Sequence, residues 1–540
     1  MVETFGLADA IRGQSVQSAL AAASARMAAN DPALGNLARK FQDLTMQVNA
    51  LLGLLNNALS LPAGERDEKG VKDINAQIDK LRAERDRTRA EIQRRFPTYA
   101  ALIDPKAPTI DDIKAALKPD EALLSFYFGR EHSFVWAVPK SGPVTFAAIA
   151  AGANDVDAKI KTLRQPFEAP LTAIETIPSF DLRLAHELYA QLLQPVEQGW
   201  RGAKSLIVVT NGALGLLPLG LLPTDSVALK TDAGPLFSGY REVPWLARTH
   251  AVTLVPSVAA FRTLRQLPPG SDKRERLIGF GDPYFNEQQA TEAAKELAEV
   301  VVASAASRGF NRRAAPRTNQ VDSAKLGQLP RLADTADELK AVAQALGVDP
   351  TTALKLGKAA NEQTVKSTDL AKYQIISFAT HGLMPNDLDG LTQPALALTA
   401  PQVAGVPGDG LLTVEEILAL KLDADWVVLS ACNTAAGAVV GAEAASGLGR
   451  AFFYAGSRAL LVTNWSVESG SAQQLVSDLF RRQAADPALT RAEALRQAMM
   501  GLLDGLGAGS GQTVFTYGHP LFWAPYSLIG DGGGSVAATR

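Results

Sequence analysis

The stretch "DWVVLSACNTAAGA" (425–438) holds the only cysteine in 540 residues. Trp426 to Leu429 form a short, wholly apolar run that passes into Ser430, Ala431 and Cys432 and then into small residues. A brief apolar run without alternation reads as a strand covered on both faces, the condition of a parallel sheet between helical layers. A second such run, "YQIISFAT" (373–380), passes into His381 and Gly382. In open parallel sheets, ligands sit outside the carboxyl ends of the strands. Both runs therefore carry a reactive side chain to one edge. If they are neighbours, thiol and imidazole face each other there.

The chain on either side fits such a sheet. From "SLIVVT" (205–210) onward, apolar runs alternate with amphipathic stretches: "AVTLV" and "SVAAFRTLRQ", "RLIGFGDP" and "TADELKAVAQALG", "RALLVTN" and "SGSAQQLVSDLFRRQ". This is the pattern of an α/β fold with a largely parallel sheet covered by helices on both faces. Before it, "ALLSFYF", "SFVWAVP" and "VTFAAI" read as a meander of short strands. Residues 1–103 read as a helical segment. In 70–96, Val71, Ile74, Ile78, Leu81, Thr88 and Ile92 recur every three to four positions, which predicts a hairpin or short coiled coil. The expected organisation is a helical segment over 1–103, an α/β region over 104–270 without cysteine, and a second α/β region over 271–540. A polar, Ala- and Arg-rich insertion at about 284–330 reads as a surface loop.

Bulk composition excludes several classes. Net charge is −3, with 53 basic and 56 acidic residues, so no polyanion-binding surface is indicated. One cysteine rules out an internal disulfide and a cysteine-rich zinc site, and five scattered histidines make no metal-ligand spacing. No cofactor, nucleic acid or membrane partner is expected. The opening residues lack a signal-peptide pattern, and a cytoplasmic protein is the simplest expectation.

A free thiol has a pKa of about 8.5, so little of it is thiolate at neutral pH. An imidazole within reach takes the proton and later returns it to a leaving amine. Gly382, without a side chain, lets its N–H approach a carbonyl closely, and with the Cys432 N–H it makes a candidate oxyanion hole. Taken singly, a cysteine is most often a small buried hydrophobe and a histidine after a strand a turn residue. Their joint placement favours chemistry. His519 precedes the run "PLFWAPYSLIG" instead of following it. Were that run a parallel strand, His519 would lie at the opposite edge, so it reads as structural. Asp387 and Asp389 lie just past His381, and Trp465 follows "RALLVTN".

In order along 105–532, "SLIVVTNGALGLLPLGLLP", "LIGFGDPYF", "ISFATHGL", "VVLSACNTAAG", "GAEAASGLGRAFFYAGSRALLVTNWSVES" and "HPLFWAPYSLIGDG" resemble the segments of the CHAT family. These are caspase-like domains often found behind tetratricopeptide repeats. The resemblance implies a caspase-like sheet preceded by a noncatalytic α/β region, and cysteine endopeptidase activity on a protein partner, with His381 and Cys432 as the dyad. His381 precedes Cys432 by 51 positions, and the interval in caspases is about 50. The resemblance also makes Trp465 a wall of the substrate pocket. Glu443 stands where many members carry the glutamate of a Gly-Glu-Gly, and it is a candidate for the pocket or for fixing its loop. Asp387 and Asp389 are candidates for orienting the histidine or reading a basic side chain. The residues before the thiol, Ser430-Ala431 in place of Gln-Ala, depart from metazoan-type caspases. The helical segment is a fragment of a repeat array at most, so a regulatory protein partner is expected to act through it. The competing readings are a catalytically silent interaction scaffold and, more weakly, a redox sensor without a resolving cysteine.

Overall fold

The computed structural model describes residues 68–95, 108–168, 173–230, 234–299, 323–385, 387–388, 391, 393–430, 447–505, 509–510 and 513–534, with isolated positions between 4 and 55. Two compact units are present, Ser18–Ala107 and the combination of Met1–Gln17 with Pro108–Arg540. In the first, the helix Glu68–Arg95 turns Ile78, Thr88 and Ile92 inward, the positions the periodicity selects, and Lys40 pairs with Glu84 at 2.9 Å. In the second, Phe5 packs edge-on against Trp136 at 5.9 Å.

Sixteen strands occur among the described residues. They are β1 (Glu121–Phe128), β2 (Ser133–Pro139), β3 (Thr145–Ile149), β4 (Ser205–Val209), β5 (Ala251–Leu254), β6 (Glu275–Gly281), β7 (Leu354–Leu356), β8 (Tyr373–Ala379), β9 (Gly382–Leu383), β10 (Ala395–Ala397), β11 (Leu411–Thr413), β12 (Trp426–Leu429), β13 (Ala459–Thr463), β14 (Gly509–Ser510), β15 (Thr513–Val514) and β16 (Tyr526–Gly530). Eleven make one sheet in the order β3-β2-β1-β4-β5-β16-β13-β12-β8-β6-β7. The predicted meander is its antiparallel margin, β1 to β3. The strands of 104–270 and those of 271–540 thus hydrogen-bond into a single sheet.

Inside it are two parallel blocks. β1, β4 and β5 are mutually parallel, as are β13, β12, β8, β6 and β7. They meet where β16 lies antiparallel to β13, with Thr463 opposite Tyr526. This corrects the parallel direction assumed for the last strand. The segment before β16, His519 included, enters at the edge where β8, β12 and β13 end.

The central strands are largely apolar because both faces are covered. Trp426 projects toward the helix Ser469–Ala485, where its Nε1–H donates to Gln483 at 3.1 Å and its ring meets Phe480. Phe378, opposite Leu429, projects to the other face and meets Phe452 of the helix Gly447–Ala455. β9, β10 and β11 form a small antiparallel sheet over a second apolar cluster that includes Phe285, Leu329, Leu383 and Val403. "PALALT" thus contributes β10 to this side sheet. The span 284–330 is not all loop: it holds the helix Glu287–Glu299, whose Gln, Ala and Glu content favours helix as much as solvent exposure. Among the described residues, no helix is long and apolar enough to cross a membrane.

Candidate functional site

β8 and β12 are parallel neighbours. Trp426 lies opposite Ile375 and Leu429 opposite Phe378, 51 positions apart in each pair. The Ser430 N–H continues the ladder to the Phe378 carbonyl at 2.9 Å. The Ser430 hydroxyl is 3.1 Å from the Tyr526 hydroxyl at the start of β16. Cys432 and Glu443 lie outside the described residues, as does Asp389.

His381 sits where the chain leaves β8 for β9. Thr380 donates its hydroxyl hydrogen to the Ala397 carbonyl, and the His381 carbonyl accepts from the Ala397 N–H at 2.9 Å. The imidazole is fully buried, with the Phe285 ring 5.6 Å away. Its Nε2 is 2.8 Å from the Pro330 carbonyl oxygen. A carbonyl can only accept, so Nε2 carries a hydrogen, and in the neutral form of the ring the lone pair lies on Nδ1. Gly382 lies opposite Leu396 on β10. Antiparallel pairs alternate between bonded and non-bonded. Since the Ala397 N–H takes the His381 carbonyl, Gly382 is in the non-bonded pair, and its N–H points away from β10.

The other candidates divide. Asp387 closes the turn after β9: its Oδ2 accepts from the Met384 N–H at 2.7 Å, and its own N–H donates to the Met384 carbonyl at 3.0 Å. Trp465 is buried and stacked on Phe167 at 4.1 Å, and its Nε1–H donates to the Leu521 carbonyl at 3.2 Å. The preceding residue is held too. The buried Arg164 donates to the Asn464 carbonyl at 2.9 Å, and the Asn464 amide donates to Pro525 and Ser527. Burial pushes the Arg164 guanidinium below its ordinary value. The end of β13 is thus a packed joint with the helix Ala153–Glu168.

His519 reaches the same edge and does a different job. Its Nε2 is 3.1 Å from the Pro178 carbonyl, its Nδ1 accepts from the Leu521 N–H at 3.1 Å, and Tyr240 and Phe237 pack around the ring. Burial lowers its pKa to about 3. Both nitrogens are committed, and it caps the turn Pro520–Trp523.

Three residues beside His381 escape the sequence reading: Asp282, Pro330 and Arg331. Asp282 follows β6 with a φ of 48°, a left-handed conformation uncommon outside glycine, asparagine and aspartate. Arg331 grips it through Nε–Oδ1 at 2.7 Å and Nη2–Oδ2 at 2.8 Å. Burial pushes the Asp282 carboxyl up, opposed by that guanidinium, and the Arg331 pKa is raised by its bond to Asp282. The bidentate geometry suits the ionised pair. The signal in the sequence was the "GDP" turn, legible as a turn but silent about its partner 49 positions on (331 against 282).

A family model described as the CHAT domain matches residues 182–531, well over half of the chain. The chain belongs to the CHAT family. No curated protein matches this CHAT chain in sequence. Among solved structures it is similar to the Saccharomyces cerevisiae separase–securin complex. One such structure has 10% identity and a TM-score of 0.40, covering 90% of this chain and 37% of that one. A second has 11% identity and a TM-score of 0.36, covering 96% and 40%. The CHAT chain therefore spans about two fifths of the length of the separase-complex chains it matches. It is also similar to the Arg-specific cysteine proteinase gingipain R, with 9% identity and a TM-score of 0.32, covering 71% of this chain and 75% of that one.

Proposed function

We propose that this CHAT protein is a caspase-like cysteine endopeptidase that cleaves a protein partner through His381 and Cys432. The observation that carries the reading is the β8–β12 register. Its offset is 51 residues, and the same number separates His381 from Cys432. A dyad carried at the ends of two adjacent parallel strands needs the same offset between its residues as between the strands, and this pair has it. Nδ1 of His381 takes the Cys432 proton. The thiolate attacks the scissile carbonyl carbon, and the resulting oxyanion is held by the N–H groups of Gly382 and Cys432. The imidazolium then protonates the leaving amine, a thioester remains on Cys432, and water activated by His381 releases the acid. Asp387, Asp389 and Glu443 offer acidic groups for a basic substrate side chain, and Trp465 stiffens the pocket wall through Phe167.

Because the imidazole is fully buried, a peptide reaches it only after a rearrangement. A partner acting through the helices of 1–103 supplies that signal. The test is cleavage of a peptide library by wild type, Cys432→Ala and His381→Ala, with and without partner. Cleavage at an unchanged rate in Cys432→Ala removes the assigned nucleophile. The same burial favours a second reading, a silent scaffold. It predicts a thiol inert to alkylation in every state, whereas a protease predicts rapid alkylation slowed by His381→Ala.

A further inference from the structure

Deepening the protease reading and resting on it, we propose that Asp282 and Arg331 are positioning residues that fix His381 through the carbonyl of Pro330. Arg331 directly follows Pro330, whose oxygen receives the His381 Nε2–H at 2.8 Å. The Arg331 guanidinium is held on three sides. Asp282 takes Nε and Nη2 at 2.7 and 2.8 Å, Glu296 takes Nη1 at 2.8 Å, and Tyr284 lies under the plane with its ring centre 5.2 Å away.

The neighbouring backbone is pinned as well. The carbonyl of Gly327 accepts from Asn286 at 2.7 Å, that of Leu329 from Gln289 at 2.8 Å, and that of Leu332 from Thr335 at 2.6 Å. Between these anchored carbonyls, that of Pro330 meets the imidazole. Asp282 is fixed in turn, since its N–H donates to the Thr335 hydroxyl at 2.8 Å. It is the first residue past β6, and β6 is the neighbour of β8. The ion pair therefore ties the end of one strand to the segment that receives the histidine carried by the next.

The chemistry benefits from this rigidity. A fixed acceptor on Nε2 selects the tautomer with its lone pair on Nδ1 and stabilises the imidazolium once Nδ1 gains a proton. A ring free to swap nitrogens would offer a donor where a base is needed. A planar guanidinium on a carboxylate fixes direction as well as distance, which an ammonium does not.

The experiment uses the full chain with Arg331→Met, Arg331→Lys, Asp282→Asn and His381→Ala, and two readouts. The first is the tautomer and titration of His381 by nitrogen NMR of histidine-labelled protein, its signal assigned by loss in His381→Ala. The second is the pH profile of iodoacetamide alkylation, which reports Cys432 alone because no other thiol exists. Arg331→Met is expected to mix the two His381 tautomers and slow alkylation at neutral pH by about tenfold. Arg331→Lys recovers little, and Asp282→Asn falls between. Wild-type His381 signals in a folded Arg331→Met protein overturn the proposal. If those signals move but His381→Ala leaves the alkylation profile untouched, the dyad is wrong and the positioning stands. Should Arg331→Met not fold, the nearly isosteric Asp282→Asn carries both readouts, and wild-type His381 signals in it count equally against the proposal.

Discussion

At the edge where β6, β8, β12 and β13 end, side chains meet backbone carbonyls, His381 at Pro330, Arg164 at Asn464 and Trp465 at Leu521, and one buried ion pair, Asp282 with Arg331, stands behind the histidine. At the edge where those strands begin, ions do the holding. Arg274, just before β6, binds Asp425, just before β12, at 2.9 Å. Arg458, just before β13, binds Asp423 at 2.8 Å. Asp531, just past β16, takes Arg491 at 3.3 Å and Arg265 at 3.2 Å, and Arg265 also binds Glu121 at 2.7 Å. Burial pushes the Arg491 guanidinium down while Asp531 and Asp425 oppose the shift. The second edge fixes strand positions. The first presents an imidazole whose Nε2 is held by a backbone carbonyl. A sheet can tie several strand ends together with a web of ion pairs at one edge and, at the other, set a single ion pair behind the backbone carbonyl that holds the histidine.

The sharpest way to break this contrast is at the dyad. Cys432→Ala is expected to abolish peptide cleavage, and His381→Ala to lower it by about a thousandfold or more. His381→Ala should also lower the urea unfolding midpoint, because it empties a buried site and leaves the Pro330 carbonyl without its donor, so cleavage is compared per folded molecule.

Asp425→Ala should act chiefly on stability. It strips three buried arginines, Arg274, Arg458 and Arg491, of a partner and is expected to cost about 3–5 kcal/mol in urea unfolding. Loss of cleavage beyond the unfolded fraction would show that the two edges are coupled.

Acid titration probes the second histidine of the edge that carries His381. His519 is held neutral with a pKa of about 3, against an ordinary 6.5. The unfolded chain therefore gains a proton between those values that the fold refuses, and stability falls as pH drops from about 6.5 to 3. The slope from this group approaches ~1.4 kcal/mol per pH unit, and His519→Gln should flatten it in urea titrations at stepped pH.

The smallest effect belongs to Asp387. Removing its turn bond to Met384 in Asp387→Ala is expected to cost about 1 kcal/mol, read by the same unfolding assay. A much larger loss would move Asp387 from the turn to the support of His381.

Much of this architecture was legible because apolar runs of strand length leave few alternatives. "WVVL" and "YQIISFA" became neighbouring strands, and the helix spacing of Ile78, Thr88 and Ile92 reappears as burial. Direction was not legible in "YSLIG": a short, mostly apolar run looks the same in either orientation, and β16 takes its direction from its place between β5 and β13. The Pro330 contact was hidden for another reason. Its partner is a backbone oxygen, which every residue possesses, so no side-chain pattern marks it. Nothing in the sequence pattern marks Arg331, because the carboxylate that claims it lies 49 positions upstream (282 against 331).

The seat of β16 also bears on the order in which this molecule can be assembled. Residues 526–530 fill the gap between β5 and β13, so a ribosome releases most of the sheet before the strand that closes it. Until then two open β edges lie bare inside one nascent chain, each a template for unwanted pairing. Chaperone dependence during synthesis, measured as recovery of compact protein with and without trigger-factor-like holdases, follows from the position of that one late strand.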